Sequence, residues 1–204
     1  MFKKPVIIFE GIETSGKSTN IKIASNYLKS INRNFVKIRE PGGSKFSEKI
    51  RNIILNKKSN LNIKTDLLLM LASRSENIDK ILKKNYKKKI ILIDRFSDST
   101  FAYQHFGMGL DFKIISKINK YIIGEFKPNL TFLSIVKQND MIKRLSSRKN
   151  KNKYDKFKYN FYDKVQKGYL KLSKNKKKYV ILNSSKYNIN DITKKITSSL
   201  IKVI

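Results

Sequence analysis

The sequence contains no cysteine and no run of apolar residues long enough to cross a membrane. The absence of cysteine excludes disulfide bonds and is compatible with a reducing compartment. A membrane-spanning helix needs about 20 consecutive apolar residues, whereas the apolar runs here are short and evenly spread. Residues 1–5 lead into an apolar segment without a small-residue cleavage site, so we expect no signal peptide. These absences predict a cytoplasmic protein that does not bind membranes.

The chain is also poor in acidic residues, since 15 Asp and Glu stand against 46 Lys and Arg and give a formal net charge of +31. Such a charge is typical of nucleic-acid-binding proteins, and RNA binding is one alternative that it leaves open. The excess is mostly lysine, which does not bind phosphates bidentately as arginine does, and it is spread along the whole chain. This distribution favours a general composition bias, so we expect no specific nucleic-acid partner. The positive field should still attract anionic nucleotides toward a cleft.

Short apolar runs alternate with segments of helical spacing along the 204 residues, which suffice for one domain over 1–204. The runs that predict buried strands lie at 6–10, 35–38, 90–94, 130–136 and 179–182. Helical spacing of apolar residues occurs at 21–31, 50–54, 67–82, 114–122 and from 189 onward. This alternation predicts an α/β fold with a five-stranded parallel sheet and helices on both faces.

One segment is too polar to join the core. Residues 148–158 are rich in Lys and Asn and almost free of apolar side chains. Such a composition predicts an exposed loop or a short mobile lid, and we place the lid at about 144–158.

Residues 11–18 read G-I-E-T-S-G-K-S, which matches the P-loop pattern between a predicted strand and a predicted helix. Glycines let the backbone turn tightly and point N–H groups at phosphates, and the helix N-terminus adds favourable partial charge. Lys17 can reach the β- and γ-phosphates, and the Ser18 hydroxyl can hold Mg²⁺. We therefore predict a P-loop NTPase fold. The predicted nucleotide-binding residues are Gly11, Ile12, Glu13, Thr14, Ser15, Gly16, Lys17, Ser18 and Thr19.

Three acidic or basic side chains near this loop have predicted roles of their own. A carboxylate at Glu13 would be repelled by phosphates, so we expect it to point away and to accept a hydrogen bond from a second substrate. Asp94 and Arg95 end the strand predicted at 90–94, and ligands of open parallel sheets bind at the carboxyl ends of strands. Asp94 is then placed to orient Mg²⁺ through water, and Arg95 to bind a phosphate bidentately.

Four further stretches occur in a fixed order. They are F-E-G at 9–11, R-E-P-G-G at 39–43, D-R-F at 94–96 and S-T-F-A-Y-Q at 99–104. In these motifs the sequence resembles bacterial thymidylate kinases, and the resemblance covers nearly the whole chain. It implies an enzyme that transfers the γ-phosphoryl group of ATP to dTMP with Mg²⁺, giving dTDP and ADP for dTTP synthesis. It also implies a homodimer.

The resemblance implies residue roles for the acceptor nucleotide. Glu13 would bind the 3′-hydroxyl of the deoxyribose, and Tyr103 would lie where a 2′-hydroxyl would sit. Arg95, with Arg39 or Arg51, would surround the phosphate of dTMP. The implied base pocket consists of Pro41, Met70, Arg74, Thr100 and Gln104, with Arg74 directed at thymine O4. Met70 departs from the family, which usually has a Phe stacked on the thymine ring there.

Members of the family that the sequence resembles are of two kinds, which differ in the position of their catalytic basic residues. Thr14 occupies the P-loop position where one kind carries an Arg, so this chain resembles the kind with basic residues in the lid. We expect Arg148 and Lys153 to close over ATP. The acceptor phosphate is already anionic, so no general base is needed and His105, the single histidine, is not a catalytic candidate. The predicted catalytic residues are Lys17, Asp94, Arg95, Arg148 and Lys153.

Two alternatives remain at this point besides RNA binding. A kinase for another pyrimidine nucleoside monophosphate, such as dUMP, is compatible with Met70. A GTPase switch would explain N-K-Y-D at 152–155, but in GTPases that motif follows a buried strand, and no Asp-x-x-Gly follows the third predicted strand.

Overall fold

The computed structural model describes residues 4–174 and 176–204. The first three residues of the 1–5 stretch, on which the signal-peptide expectation rests, lie outside the described residues. Within the described part, no helix combines the length and apolar character that crossing a membrane requires.

A five-stranded parallel sheet forms the centre of the molecule, as the sequence predicted. Its strands are β1 Val6–Gly11, β2 Phe35–Arg39, β3 Ile90–Asp94, β4 Leu130–Ile135 and β5 Tyr179–Asn183. They are arranged in the order β2-β3-β1-β4-β5, with every neighbouring pair parallel. β1 lies between β3 and β4, and the chain runs from β1 toward one edge of the sheet but from β3 across to the other side, which opens a crevice at the carboxyl end of β1.

The helices cover both faces of this sheet. They are α1 Lys17–Ser30, α2 Lys45–Leu55, α3 Ile63–Asn77, α4 Lys83–Asn85, α5 Ser97–Thr100, α6 Phe112–Ile123, α7 Gln138–Ser146, α8 Tyr159–Ser173 and α9 Ile189–Ile201. π-Helical turns at Ile78–Leu82 and Phe101–Gly107 extend α3 and α5, and a 3₁₀ turn spans Lys153–Lys156. Side-chain oxygens cap several helices, as Asn62 does by accepting from the backbone N–H groups of Lys64 and Thr65.

Alternate residues of the strands point to opposite faces of the sheet and pack into a separate hydrophobic core on each face. Ile7 and Phe9 of β1 pack with α1 and α9, whereas Val6 and Ile8 pack with Leu82 and its neighbours on the other face. Because both faces are covered, β1 and β3 begin as continuous apolar runs rather than alternating ones, whereas β2 and β4 include polar residues. This is why the sequence predicted the strands so closely.

The polar region after β4 differs from the prediction. No helix was predicted between 138 and 173, yet α7 and α8 lie there. Tyr162, Val165 and Tyr169 are fully or almost fully buried at helical spacing, and many lysines around them obscure that pattern. The expectation of an exposed loop at 148–158 is wrong for Tyr154 and Asp155, which are buried.

Helix α8 approaches the π-helical turn after α5 very closely. A Cβ added at Gly168 would lie 2.6 Å from the ring of Phe106, and one at Gly107 would lie 2.7 Å from the ring of Phe161. Only residues without a side chain fit at these two positions.

Candidate active site

A cleft of about 600 Å³ opens at the carboxyl ends of the central strands. It brings together most of the predicted site residues, although they come from distant parts of the chain. Those that line it are Glu13, Thr14, Lys17, Ser18, Arg39, Pro41, Arg51, Met70, Arg74, Asp94, Arg95, Thr100, Tyr103, Gln104 and Arg148. Gly16 and Thr19 line an adjoining groove of about 470 Å³ instead, together with Lys17 and Ser18.

The loop between β1 and α1 has the conformation of a phosphate cradle. Gly16 adopts φ 94° and ψ 5° at the start of α1, a left-handed conformation that glycine tolerates at little cost. No side chain caps α1 and no acidic residue lies in its first turn, so its positive end remains available to an anion. Inside the loop, the Ser15 hydroxyl donates to the carbonyl of Ile12 at 2.8 Å, and both residues are buried together with Gly11. These three residues shape the loop rather than line the cleft.

Lys17 extends from the first turn of α1 into the cleft. Burial, together with the nearby Arg95 guanidinium, lowers the pKa of Lys17 to about 8. A cation in such surroundings interacts strongly with a phosphate that enters the cleft.

Arg95 is held in place by partners on both sides. Its Nη2 donates to Glu13 Oε1 at 2.8 Å, and its Nη1 donates to the carbonyl oxygen of Gly11 at 2.8 Å. The Tyr103 hydroxyl also donates to Glu13, and the guanidinium lies 5.0 Å from the centre of the Tyr103 ring. Arg95 has φ 66°, which is uncommon for a residue with a side chain and points to a constrained position. Glu13 thus points away from the P-loop interior, toward Arg95 and Tyr103.

A buried polar cluster behind Arg95 was not predicted from the sequence. Glu10, which is 1% exposed, accepts from the Ser99 hydroxyl at 2.5 Å and from the Tyr169 hydroxyl at 3.2 Å. Tyr169 in turn lies 3.2 Å from Arg95 Nη1. Burial, with a smaller contribution from the Asp98 charge, raises the pKa of Glu10 to about 7. The available signals were the acidic end of β1 and the helical spacing that buries Tyr169.

Two further arginines line the opposite wall of the cleft. Arg39 forms an ion pair with Glu48 at 2.8 Å and is about half exposed. Arg51 donates to the carbonyl oxygen of Pro41 at 2.7 Å, and burial, followed by repulsion from Arg39, lowers its pKa. With Arg95, these side chains make this part of the cleft strongly attractive to a phosphate monoester.

The deep end of the cleft contains buried polar atoms without partners. Arg74 is fixed there, since its Nε donates to Glu40 Oε2 at 2.7 Å and its Nη1 to Asn119 Oδ1 at 2.6 Å. Thr100 Oγ1 and Gln104 Oε1 are buried and lack a hydrogen-bond partner. Leaving a buried polar group unpaired costs about 1–3 kcal/mol, so these atoms fit a polar, planar ligand that would satisfy them.

Asp94 and Ser18 are the predicted Mg²⁺ ligands. Asp94 Oδ1 is buried without a partner, and both residues line the same cleft. Among the described residues, no group of three or more His, Asp or Glu side chains is arranged to hold a metal. The hydroxyl and carboxylate oxygens of Ser18 and Asp94 are donors that suit Mg²⁺, which is usually bound through one or two protein oxygens with water and substrate phosphates as the other ligands.

The basic residues of the lid are placed in different ways. Arg148 lines the cleft while donating to Asp155 Oδ1 at 2.7 Å. Arg144 also lines the cleft, and its Nη1 donates to the P-loop carbonyl of Thr14 at 3.1 Å. Lys153 does not line the cleft, because its Nζ lies 3.0 Å from Asp66 Oδ1 on α3. Its role over ATP stays a prediction.

Comparison with known proteins agrees with this geometry. The profile of the family described as "Thymidylate kinase" matches residues 9–196. A thymidylate kinase of Sulfurihydrogenibium sp. is 40% identical over 196 residues, covering 95% of each chain. One from Thermosipho africanus is 37% identical over 94% of this chain and 95% of its own. The crystal structure of thymidylate kinase from Ehrlichia chaffeensis superposes with a TM-score of 0.77 at 32% identity and covers 97% of this chain and 98% of its own. Matches that span both chains almost completely, in sequence and in structure, show that this chain belongs to the thymidylate kinase family.

Proposed function

We propose that this protein is a cytoplasmic, single-domain kinase that transfers the γ-phosphoryl group of ATP to dTMP and releases dTDP and ADP. One observation carries the proposal: the P-loop lysine and the Arg95–Glu13–Tyr103 cluster face the same cleft. The cleft would thus hold a triphosphate beside a phosphorylated deoxyribose. Family membership supports the same reaction.

The donor nucleotide would bind along the P-loop and the adjoining groove. The loop residues Gly11 to Thr19 surround the phosphates, and the uncapped N-terminus of α1 favours negative charge. Lys17 binds the β- and γ-phosphates. Ser18 and Asp94 would hold Mg²⁺, which neutralises phosphate charge when bound.

The acceptor nucleotide would occupy the opposite half of the cleft. Arg95, Arg39 and Arg51 bind its phosphate, while Glu13 accepts from the 3′-hydroxyl. Tyr103 closes the space beside the sugar, where the 2′-hydroxyl of a ribonucleotide would be buried without a partner.

The base would fill the deep end of the cleft. Arg74 donates to a base carbonyl, and the unpartnered oxygens of Thr100 and Gln104 take part in base recognition. Pro41 and Met70 contribute to the pocket wall. An apolar pocket discriminates one methyl group by only about 1–3 kcal/mol, so the preference for dTMP over dUMP should be modest.

Catalysis would rest on alignment and charge neutralisation, because the attacking phosphate oxygen is already anionic. Lys17, Arg95 and Arg148 all line the cleft, and they would surround the position of transfer. Lys153 would join them only after it leaves Asp66, and this step belongs to the proposal.

A homodimer would bury an apolar face formed by α2, α3 and α6. Large apolar side chains are exposed there, and they include Ile53, Leu68 and Ile114, each at least half exposed. An uncovered face of this kind is typical of a protein–protein contact. We propose no specific nucleic-acid partner and no membrane partner.

The proposal is tested with purified protein, ATP and Mg²⁺ against dTMP, dUMP, UMP, CMP, AMP and GMP. We expect phosphorylation of dTMP well above the others. Lys17→Ala and Arg95→Ala should each abolish turnover and leave the circular dichroism spectrum unchanged. Lys22→Ala, at an exposed position of α1, is the matched control and should retain activity. No turnover of dTMP by the wild type would refute the proposal.

A further inference from the structure

The hydroxyl group of Tyr154 connects the lid to the wall of the base pocket. It donates to Asp66 Oδ2 at 2.5 Å and lies 3.4 Å from Nε2 of Gln104. All three side chains are buried, with exposures of 4% for Tyr154, 1% for Asp66 and 0% for Gln104. The proposed phosphoryl transfer assigns no task to Tyr154, and it gives Asp66 none beyond the ion pair that Lys153 would leave.

Asp66 fixes the direction of these hydrogen bonds. Its two oxygens accept from Lys153 Nζ at 3.0 Å and from the Tyr154 hydroxyl at 2.5 Å, so neither oxygen is left to donate. Burial, strengthened by the Asp66 charge, raises the pKa of Tyr154 well above its usual value, so the phenol keeps its proton. A phenol has one proton only. Since Tyr154 donates it to Asp66, the same oxygen can only accept from Gln104.

The orientation of the Gln104 amide follows from this. Its NH₂ group must face Tyr154, and the same nitrogen lies 3.4 Å from the sulfur of Met70, which is a weak acceptor. The amide oxygen of Gln104 then has no hydrogen-bond partner. It is buried, and Gln104 lines the cleft. The pocket therefore presents an acceptor to the base.

A hydrogen-bond acceptor at this place distinguishes thymine from cytosine, because the two bases carry different hydrogen-bonding groups. Thymine carries an N–H group at ring position 3, which can donate to the amide oxygen. Cytosine has an unprotonated nitrogen there, and its lone pair would face the lone pairs of Gln104. Rejection of a ligand that leaves a buried polar group unpaired is stronger than rejection by shape alone.

We infer that Asp66 and Tyr154 are positioning residues that fix the amide of Gln104 and thereby make the pocket select thymine over cytosine. The inference rests on the proposed function, because it needs a nucleoside monophosphate in this cleft. It assigns base selection to a residue of α3 and a residue of the lid, both of which act through Gln104.

The test compares kcat/KM for dTMP with kcat/KM for dCMP in Tyr154→Phe and Asp66→Asn. Phe leaves the amide of Gln104 free to turn. Asn can donate to Tyr154, which lets the phenol donate to Gln104 and reverses the amide. One hydrogen bond is worth about 0.5–1.5 kcal/mol, so we expect the dTMP:dCMP ratio to fall about three- to tenfold in each variant.

Controls separate selection from general damage. Lys153→Met removes the ion pair to Asp66 but keeps the Tyr154–Asp66 bond, so it should change both rates by the same factor and leave the ratio unchanged. Asp79→Asn and Tyr121→Phe repeat the two chemical changes at side chains that lie far out in solvent, with Asp79 60% and Tyr121 89% exposed. Neither should alter the ratio.

The inference is overturned if the wild type shows no preference for dTMP over dCMP. It is also overturned if both variants lose activity toward the two substrates in equal proportion, because that is the result of a merely structural role. Should the wild type phosphorylate neither nucleotide, the proposed function fails, and titration calorimetry of dTMP and dCMP binding to the same variants decides the inference. An unchanged ratio of Kd values in those titrations overturns it.

Discussion

The ion pair between Glu40 and Arg74 is the most deeply buried one that the structure describes, and it gives a quantitative prediction for stability. The two side chains are only 4% and 3% exposed, and Arg74 Nε lies 2.7 Å from Glu40 Oε2. Removing one partner of a buried pair leaves an uncompensated charge and costs about 3–5 kcal/mol. We therefore expect Glu40→Ala to lower the free energy of unfolding by about this amount.

An exposed ion pair provides the control for this experiment. Lys83 and Asp79 lie 2.5 Å apart with side chains 71% and 60% exposed. Exposed pairs are worth about 0–1 kcal/mol, so Asp79→Ala should lose no more than that. The chain contains no Trp, so urea unfolding is best followed by far-ultraviolet circular dichroism. Domains of this size are stable by about 5–15 kcal/mol, so over most of this range Glu40→Ala stays folded in the absence of urea.

The argument is refuted if the free energy of unfolding falls no more in Glu40→Ala than in Asp79→Ala. A second check is the double variant Glu40→Ala with Arg74→Met, which has no unpaired charge at this site. Its loss should be smaller than the sum of the two single losses, since the side chains are in direct contact. Additive losses would show that the pair is not coupled.

Three further predictions concern the cleft. Burial raises the pKa of Glu10 from 4.5 to about 7 in the folded protein. The unfolded chain therefore releases this proton at lower pH, and the free energy of unfolding should fall as the pH rises from 4.5 to 7. Urea titrations should show a weaker dependence of the unfolding free energy on pH for Glu10→Gln, and an unchanged dependence would contradict the assignment. Tyr103→Phe removes one donor to Glu13, so kcat/KM for dTMP should fall about three- to tenfold, and no change in steady-state kinetics would exclude that contact from substrate binding. Ser18→Ala should raise the Mg²⁺ concentration for half-maximal activity about tenfold or more, whereas Ser30→Ala, at the exposed end of α1, should not.

Much of the fold could be predicted because its signals are local. The strands β1 and β3 are covered on both faces, so their apolar runs are continuous and stand out from the surrounding lysines. The P-loop was equally clear, since its glycines, Lys17 and Ser18 lie within eight residues. Helix α8 was missed because only one face of it is apolar, and lysines interrupt that face in sequence.

The partners of the site residues could not be predicted by the same means. Arg74 binds Glu40 and Asn119, which lie 34 and 45 positions away in the sequence. Lys153 binds Asp66 across 87 positions. Such pairings depend on how helices and lid pack, and no local pattern encodes them. The resemblance to the family named residues that line the cleft, but it did not supply the buried groups that hold them.

Because of the close approach at Gly168, the position of α8 determines the position of one wall of the proposed base pocket. Thr100 and Gln104 belong to the segment that packs on this helix, where the ring of Phe106 lies against Gly168 and the ring of Phe161 against Gly107. We expect that the methyl group of an alanine at either glycine would push the segment that carries Thr100 and Gln104 toward the cleft. We therefore expect the width of the pocket to depend on the side chains that line it, such as Met70, more than on a shift of this backbone.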